Sequence, residues 1–322
     1  MDTRARTKQL ARQRGLIETC VRYCRGRMRR LTFLLLWAAS RLALMVSWRS
    51  LAPIGSVFGS LHYAVQIRAR RRLARDMAVA LNCSAATARR ALRQSYRVND
   101  RAVFEIVALN SSRPAVDAML ASCRIEGVEQ LTRQAKSGEG AVLLGMHMGN
   151  GVLMAGALAA RGLPVAVVYR ESRKLPPGYL GEVMQRIGVT PLHVTYANPA
   201  GGSLGILRAL RKGMLVYVLM DQGNKQAEGV PVVFLGKQVH MPDGIVRLAA
   251  KAGAPFIPVE LRAAEPDWVY QVAAPSEVGD DPQATVRELA QRMENQIRAQ
   301  PQFWSWHQRR WRRYPFAAAQ PE

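Results

Sequence analysis

The spacing of hydrophobic residues divides the chain into two regions. Up to about residue 120, apolar residues recur among arginines and alanines, and glycine is sparse, which is typical of helices. Ser84 stands where it would cap a helix over 85–96. We therefore predict a basic helical region over 1–120. One side of the helix after Ser84 is basic, indicating a solvated face or contacts with lipid headgroups; it carries Arg89, Arg90, Arg93 and Arg97.

From about residue 140 short apolar runs alternate with segments compatible with helices. Strands are expected at 141–146, 164–168, 190–194, 214–219 and 256–261, with an edge strand at 268–272. Helices are expected at 152–160, 179–187, 204–210, 244–251 and 286–298. A long loop is expected over 221–240, and Pro258 favours a position near an edge or bulge. This alternation predicts an α/β fold over 121–322, with a mostly parallel sheet flanked by helices.

An apolar segment near 31–48 follows a basic arm. Arg41 interrupts the segment, which is costly inside a bilayer, and Trp37 and Trp48 are residue types enriched at membrane interfaces. The pattern favours a helix embedded in the interface over a full span or a buried helix. The N-terminal region is therefore predicted to associate with a membrane.

The formal net charge is +23, with 46 Lys and Arg against 23 Asp and Glu. Such a chain is expected to meet an anionic partner: lipid headgroups, nucleic acid or a phosphorylated substrate. No nucleic-acid recognition motif is present, so specific nucleic-acid binding is not expected. The four cysteines have no zinc or disulfide spacing and are interpreted as structural thiols, and no metal site is predicted; they are Cys20, Cys24, Cys83 and Cys123.

The strand predicted at 141–146 leads directly into His147 and a Gly149-Asn150-Gly151 turn. Open α/β sheets bind ligands at the carboxyl ends of their strands. His147 is therefore a candidate general base, and the glycines of the turn would let a substrate approach closely. The other interpretation is a buried histidine whose hydrogen bonds are satisfied within the protein.

Two further candidates follow two other predicted strands. Arg170 would lie at the same edge of the sheet, where it could grip a phosphate or carboxylate, or pair with Glu171. Asp221 ends the strand at 214–219, although an aspartate there is often only a turn former. Three strands thus bring His147, Arg170 and Asp221 to one edge.

Two more segments carry candidate features. Gly236 forms a glycine turn at the end of an apolar loop, before Lys237. The tail over 303–313 places three tryptophans among arginines, which suits a membrane interface, stacked bases, or a C-terminal helix packed on the core.

The order and spacing of these motifs resemble the bacterial lipid A late acyltransferases, the lauroyl and myristoyl transferases, within the lysophospholipid acyltransferase superfamily. The likeness covers most of the chain and rests on 71–82, 125–131, 147–150, 169–170, 221–222, 234–236, 257–258 and 301–311. It implies transfer of an acyl chain from an acyl carrier protein or coenzyme A thioester to a hydroxyl acceptor, without a resident cofactor. It also implies anionic membrane lipids as partners, at the cytoplasmic face of the inner membrane.

The resemblance also implies roles for individual residues. His147 matches the histidine that deprotonates the acceptor. Substrate contacts are expected from Gly149, Asn150, Arg170, Gln222 and Gly236.

The chain departs from the family at one catalytic position. The acidic residue expected five positions after the histidine is Val152, which cannot accept a hydrogen bond. Three outcomes follow. Asp221 or Glu171 replaces the missing carboxylate in space; or the acceptor, such as an amine or phenol, needs only a free imidazole; or the protein binds at the membrane without transferring. We predict a membrane-associated acyltransferase for a lipid or secondary-metabolite acceptor, with the impaired binding protein as the alternative.

Overall fold

The computed structural model describes residues 47–171, 177–195, 197–223, 228–279, 281–307 and 314–316. The predicted interfacial segment near 31–48 lies outside these residues except for its last two, and Cys20 and Cys24 also lie outside them. Within the described ranges, none of the helices has both the length and the apolar character that crossing a bilayer requires.

Within the described residues, four helices precede the sheet: α1 (Trp48–Val65), α2 (Ile67–Leu81), α3 (Ala85–Ala108) and α4 (Arg113–Ser122). The first 46 residues of the region predicted to be helical lie outside the described residues. Ser84 caps α3, and its hydroxyl oxygen accepts a hydrogen bond from the Thr87 N–H at 3.1 Å. Helix α1 lies unusually close to α3. A Cβ added at Gly55 would stand 2.7 Å from the Arg101 Cα, and one at Gly59 would stand 2.6 Å from the Arg97 Cα.

The chain then forms a seven-stranded sheet in the order β1-β9-β8-β2-β5-β3-β4. Its strands are β1 (Arg124–Glu126), β2 (Ala141–Gly145), β3 (Val165–Tyr169), β4 (Thr190–His193), β5 (Leu215–Leu219), β8 (Phe256–Ala263) and β9 (Val269–Val272). Neighbouring strands are parallel except β8 and β9. The associated helices are α5 (Val128–Lys136), α6 (Gly151–Ala159), α7 (Tyr179–Arg186), α8 (Pro199–Arg211), α9 (Gly244–Ala252) and α10 (Pro282–Ala299). The predicted α/β class with a mostly parallel sheet is confirmed.

The centre of the sheet positions the site. Every residue of β2 is buried, as expected for a strand covered on both faces. Strands β2 and β5 are parallel neighbours, and Gly145 pairs with Leu219. His147 and Asp221 therefore each lie two residues beyond this pair of strand residues. One hydrophobic core joins these strands to the N-terminal helices, since Leu92 of α3 belongs to it.

Several details differ from the predictions. The segment predicted as an edge strand is β9, which lies between β8 and the short strand β1. The predicted loop over 221–240 contains an antiparallel hairpin of β6 (Val230–Phe234) and β7 (Lys237–Met241). Pro231 and a two-residue turn had hidden the alternation of these strands.

Pro258 lies inside the sheet rather than at its edge. It is the last residue of β8 paired with β2, and the antiparallel ladder with β9 begins at Val259. The proline thus stands at the junction of two ladders, while its carbonyl accepts a hydrogen bond from the Ala273 N–H at 2.9 Å.

Candidate active site

The imidazole of His147 and the carboxylate of Asp221 meet at the carboxyl edge of the sheet. The His147 Nδ1 atom lies 2.7 Å from Asp221 Oδ1. The aspartate side chain is fully buried, whereas 30% of the histidine side chain is exposed. The aspartate of the pair is therefore enclosed by protein, whereas the histidine is accessible to a ligand.

Asp221 accepts three hydrogen bonds from the described residues. Its Oδ2 atom accepts the His147 backbone N–H at 2.9 Å and the indole N–H of Trp304 at 2.6 Å. Burial by itself would raise the pKa of Asp221, but the charge of His147 and these hydrogen bonds outweigh it, so the pKa is lowered. The carboxylate is ionised at neutral pH and keeps the proton of the imidazole on Nδ1.

Gln222 contacts both ring nitrogens of His147. Its Nε2 atom lies 3.0 Å from His147 Nε2 and 3.3 Å from His147 Nδ1, so the amide nitrogen lies over the imidazole ring and not in its plane. With the proton on Nδ1, the in-plane lone pair of His147 Nε2 is not used by the amide. This nitrogen is therefore the one available to take a proton from a ligand.

The turn after His147 is held by Asn150. The Asn150 side-chain oxygen accepts the Leu153 N–H at 3.0 Å and caps α6, while Nδ2 donates to Glu105 Oε2 at 3.0 Å. The asparagine is only 1% exposed. Although it borders the pocket described below, its side-chain amide is used within the protein. It shapes the turn rather than offering a polar group to a ligand.

Gly149 is required by backbone conformation and by space. Its φ is +69°, and a Cβ there would lie 2.7 Å from the Tyr270 hydroxyl oxygen. That hydroxyl in turn accepts the Asn150 backbone N–H at 2.8 Å. Glycine at this position lets the turn pack onto β9.

A pocket of about 680 Å³ opens beside His147. Its walls are mostly apolar and include Ile106, Met146, Val152, Val168, Leu180, Met184, Val194 and Val218. Val152, at the position where the family resemblance implies an acid, thus forms part of an apolar wall. The polar lining includes His147, Gln222, Arg170 and Glu171.

Two predicted site residues have other arrangements. The Glu171 Oε1 atom accepts the Gly178 N–H at 2.6 Å, so this carboxylate is engaged away from the imidazole although it borders the pocket. Gly236 is not among the pocket residues. It lies in the β6–β7 turn with φ +74°, beside the Phe316 ring. A short apolar loop ending in glycine cannot be told from a hairpin turn by spacing alone.

The sequence did not predict the role of the tail at this site. Trp304 forms a β-bridge with Met148, and the Ser305 N–H donates to the His147 carbonyl at 3.0 Å. The described part of the tail, up to His307, forms no helix. A buried carboxylate needs hydrogen-bond donors, and an indole N–H can be one of them. However, Trp304 and Asp221 are 83 residues apart, and no sequence pattern links the two positions.

No three His, Cys, Asp or Glu side chains in the described part of the chain are arranged to hold a metal ion. Cys83 and Cys123 are free thiols, and burial raises the pKa of Cys123 to about 12. The imidazole and the carboxylate described above lie beside an apolar pocket.

The family model for bacterial lipid A biosynthesis acyltransferases matches residues 25–313. The chain belongs to this family. A comparison with individual curated proteins gave no match. The match covers both the helical region and the sheet, and it identifies the protein as an acyltransferase of lipid biosynthesis. Within this acyltransferase, the aspartate that meets the histidine follows the neighbouring strand β5.

Proposed function

We propose that this acyltransferase uses His147 as general base and Asp221 as its orienting partner. The observation that carries the proposal is the 2.7 Å contact between His147 Nδ1 and Asp221 Oδ1 beside an apolar pocket. The donor is an acyl carrier protein or coenzyme A thioester, and the acceptor is a hydroxyl or amine of a lipid or secondary metabolite. The reaction takes place at the cytoplasmic face of the inner membrane.

The proposed reaction begins when the hydroxyl or amine of the acceptor donates a hydrogen bond to His147 Nε2. That nitrogen takes the proton as the acceptor oxygen or nitrogen attacks the thioester carbonyl. Asp221 stabilises the imidazolium. The tetrahedral intermediate then collapses, the carbon–sulfur bond breaks, and the thiolate takes the proton back from Nε2. The products are an ester or amide and a free thiol.

Two features support binding of the substrates. The apolar walls suit an acyl chain, because burying each methylene contributes about 0.8 kcal/mol. Arg170 at the polar lining and the N-terminus of α6, whose residues Gly151 and Val152 line the pocket, favour negative charge there. An anionic donor or a developing oxyanion would be stabilised by both.

The test compares purified wild type with His147→Ala, using acyl carrier protein and coenzyme A thioesters and a panel of lipid, amine and phenol acceptors. Removal of the base should lower turnover at least about 10³-fold. His240→Ala, which changes a histidine outside the pocket, should stay at the wild-type level. Equal transfer by His147→Ala would refute the assignment, and no transfer by wild type with any pair would favour a binding protein.

A further inference from the structure

Tyr217 of β5 brings a hydroxyl group into the closely packed centre of the sheet. The residue pairs with Leu143 of β2 on one side and with Val167 of β3 on the other. It is only 3% exposed, yet it lines the pocket beside His147. The small exposed part of Tyr217 therefore faces the pocket.

Two glycines make room for the phenol. Gly145 ends β2 and Gly151 begins α6, so they stand on either side of the turn that carries His147. A Cβ at Gly145 would overlap the Tyr217 hydroxyl oxygen, and one at Gly151 would lie 2.7 Å from the same atom. Any larger residue at either position would displace the hydroxyl. The phenol oxygen therefore lies between the end of β2 and the first turn of α6.

The hydroxyl of Tyr217 has no hydrogen-bond partner among the described residues. The buried hydroxyl of Tyr270 shows the contrast, because it accepts the Asn150 N–H at 2.8 Å. A buried polar group without a partner costs free energy, and phenylalanine would fill the same space without that cost. The expected partner is therefore a ligand in the pocket. Burial and the charge of Asp221 both raise the pKa of Tyr217, so the phenol keeps its proton and can donate it in a hydrogen bond.

Two backbone N–H groups at the start of α6 lie beside the phenol. The Leu153 N–H is bonded to the Asn150 side chain. The N–H groups of Gly151 and Val152 come before the first hydrogen bond of the helix and have no partner in the part of the chain that the structure describes. Both residues line the pocket, and the helix dipole makes this end partly positive. Three unused donors therefore border one part of the pocket.

We propose that the Tyr217 hydroxyl is a catalytic hydrogen-bond donor to the thioester carbonyl oxygen, in an oxyanion site completed by the Gly151 and Val152 N–H groups. The assignment rests on the proposed function. When the acceptor attacks, the carbon–oxygen double bond becomes a single bond and the oxygen takes the negative charge. The phenol keeps its proton and stabilises this charge. On collapse the carbon–oxygen double bond forms again, and the carbon–sulfur bond breaks.

The test compares purified wild type with Tyr217→Phe, which removes the hydroxyl and keeps the ring. Loss of one oxyanion donor should lower kcat about 10²-fold. The loss should appear mainly in kcat rather than in the KM of the donor, because the hydrogen bond strengthens as charge develops. Tyr63→Phe is the matched control and should turn over like wild type, since Tyr63 lies on α1 and does not line the pocket. Urea unfolding checks that both variants fold.

A binding measurement tests the oxyanion site without turnover. Calorimetry compares two analogues of an acylated pantetheine, the thiol arm that both candidate donors share. In the ketone analogue a methylene replaces the sulfur and the carbonyl is kept. In the thioether analogue a methylene replaces the carbonyl. We expect Tyr217→Phe to bind the ketone analogue about fivefold more weakly than wild type and the thioether analogue equally well.

Three outcomes would overturn the proposal: an unchanged kcat in Tyr217→Phe, unchanged binding of the ketone analogue, or an equal loss of affinity for both analogues. The last would assign the hydroxyl to packing alone. His147→Ala, measured in parallel, keeps the proposed function separate. Full transfer by His147→Ala with a loss in Tyr217→Phe would contradict the base and support the oxyanion site. If wild type transfers from no donor, the proposed function fails, and the two analogues alone decide on the site.

Discussion

Two buried carboxylates hold the turn around His147, and they differ in what they are paired with. Asp221 meets the imidazole and the Trp304 indole. Glu105 of α3 accepts hydrogen bonds from Arg101 Nε at 2.7 Å, from Asn150 Nδ2 at 3.0 Å and from the Trp268 indole at 2.5 Å. The guanidinium of Arg101 also stacks over the Trp268 ring.

The difference distinguishes a carboxylate that is proposed to act in the reaction from one that stabilises the fold. The partner of Asp221 is an imidazole that can change its charge and that faces the pocket. The partner of Glu105 is an arginine only 5% exposed, whose charge is permanent. The comparison teaches that the carboxylate proposed to act in the reaction is recognised by its partner and by that partner's access to a ligand, because burial and hydrogen bonding are common to both carboxylates.

The largest expected effect comes from Asp221→Asn. The variant keeps the shape but no longer fixes the Nδ1 proton or stabilises the imidazolium, so turnover should fall about 10³- to 10⁴-fold. The fall is measured as thioester turnover at a saturating concentration of the acyl donor. Asp117→Asn is the matched control, since Asp117 pairs with exposed Arg113 on α4 and does not line the pocket. Turnover within tenfold of wild type in Asp221→Asn would remove Asp221 from the proposed pair.

Glu105→Gln should act on stability instead. It leaves the buried guanidinium of Arg101 without its counter-charge, which costs about 3–5 kcal/mol. Urea unfolding measures the loss, and turnover per folded molecule should stay within about tenfold of wild type. Exposed Glu288→Gln is the control. If Glu105→Gln unfolds like wild type but loses turnover, the two carboxylates have been assigned the wrong way round.

Acid should weaken the fold through Asp221 by a smaller amount. Its pKa is lower in the folded protein than in the unfolded chain, so its stabilising contribution is present above the unfolded pKa of about 4 and is lost as pH falls through the folded pKa. Unfolding free energies of wild type and Asp221→Asn, measured from pH 7 to pH 3, should differ by a constant amount above about pH 5 and converge below it. A difference that widens toward low pH would contradict the lowered pKa.

The smallest effect is expected for Val152→Glu. Asp221 already holds the imidazole, and a second carboxylate would put charge into an apolar wall, so turnover should fall by less than about tenfold. Val152→Gln matches the size without the charge. A gain above tenfold with glutamate, absent with glutamine, would show that Asp221 does not serve as the working partner.

The sequence predicted the part of the site that depends on strands. Uninterrupted apolar runs identified β2 and β5, and the rule that parallel strands present their carboxyl ends at one edge brought His147 and Asp221 together. The register of β2 and β5 places His147 and Asp221 at equivalent positions beyond the two strands. This register could not be predicted from the hydrophobic pattern, because both strands are apolar on both faces.

The sequence did not predict contacts between side chains that are distant along the chain. Trp304 was interpreted through its arginine neighbours, yet its indole binds Asp221. Glu105 was not singled out by the sequence, because its burial and its three donors come from residues on other elements as well as its own helix. Gly236 looked like a ligand contact because a turn that approaches a substrate and one that closes a hairpin use the same residue type.

The indole that completes the Asp221 site lies near the end of the described chain. A chain cut before Trp304 would keep both the histidine and the aspartate but would lack one of the three hydrogen-bond donors to the carboxylate. The tail after α10 is therefore part of what folds around Asp221, although it contributes no strand to the seven-stranded sheet.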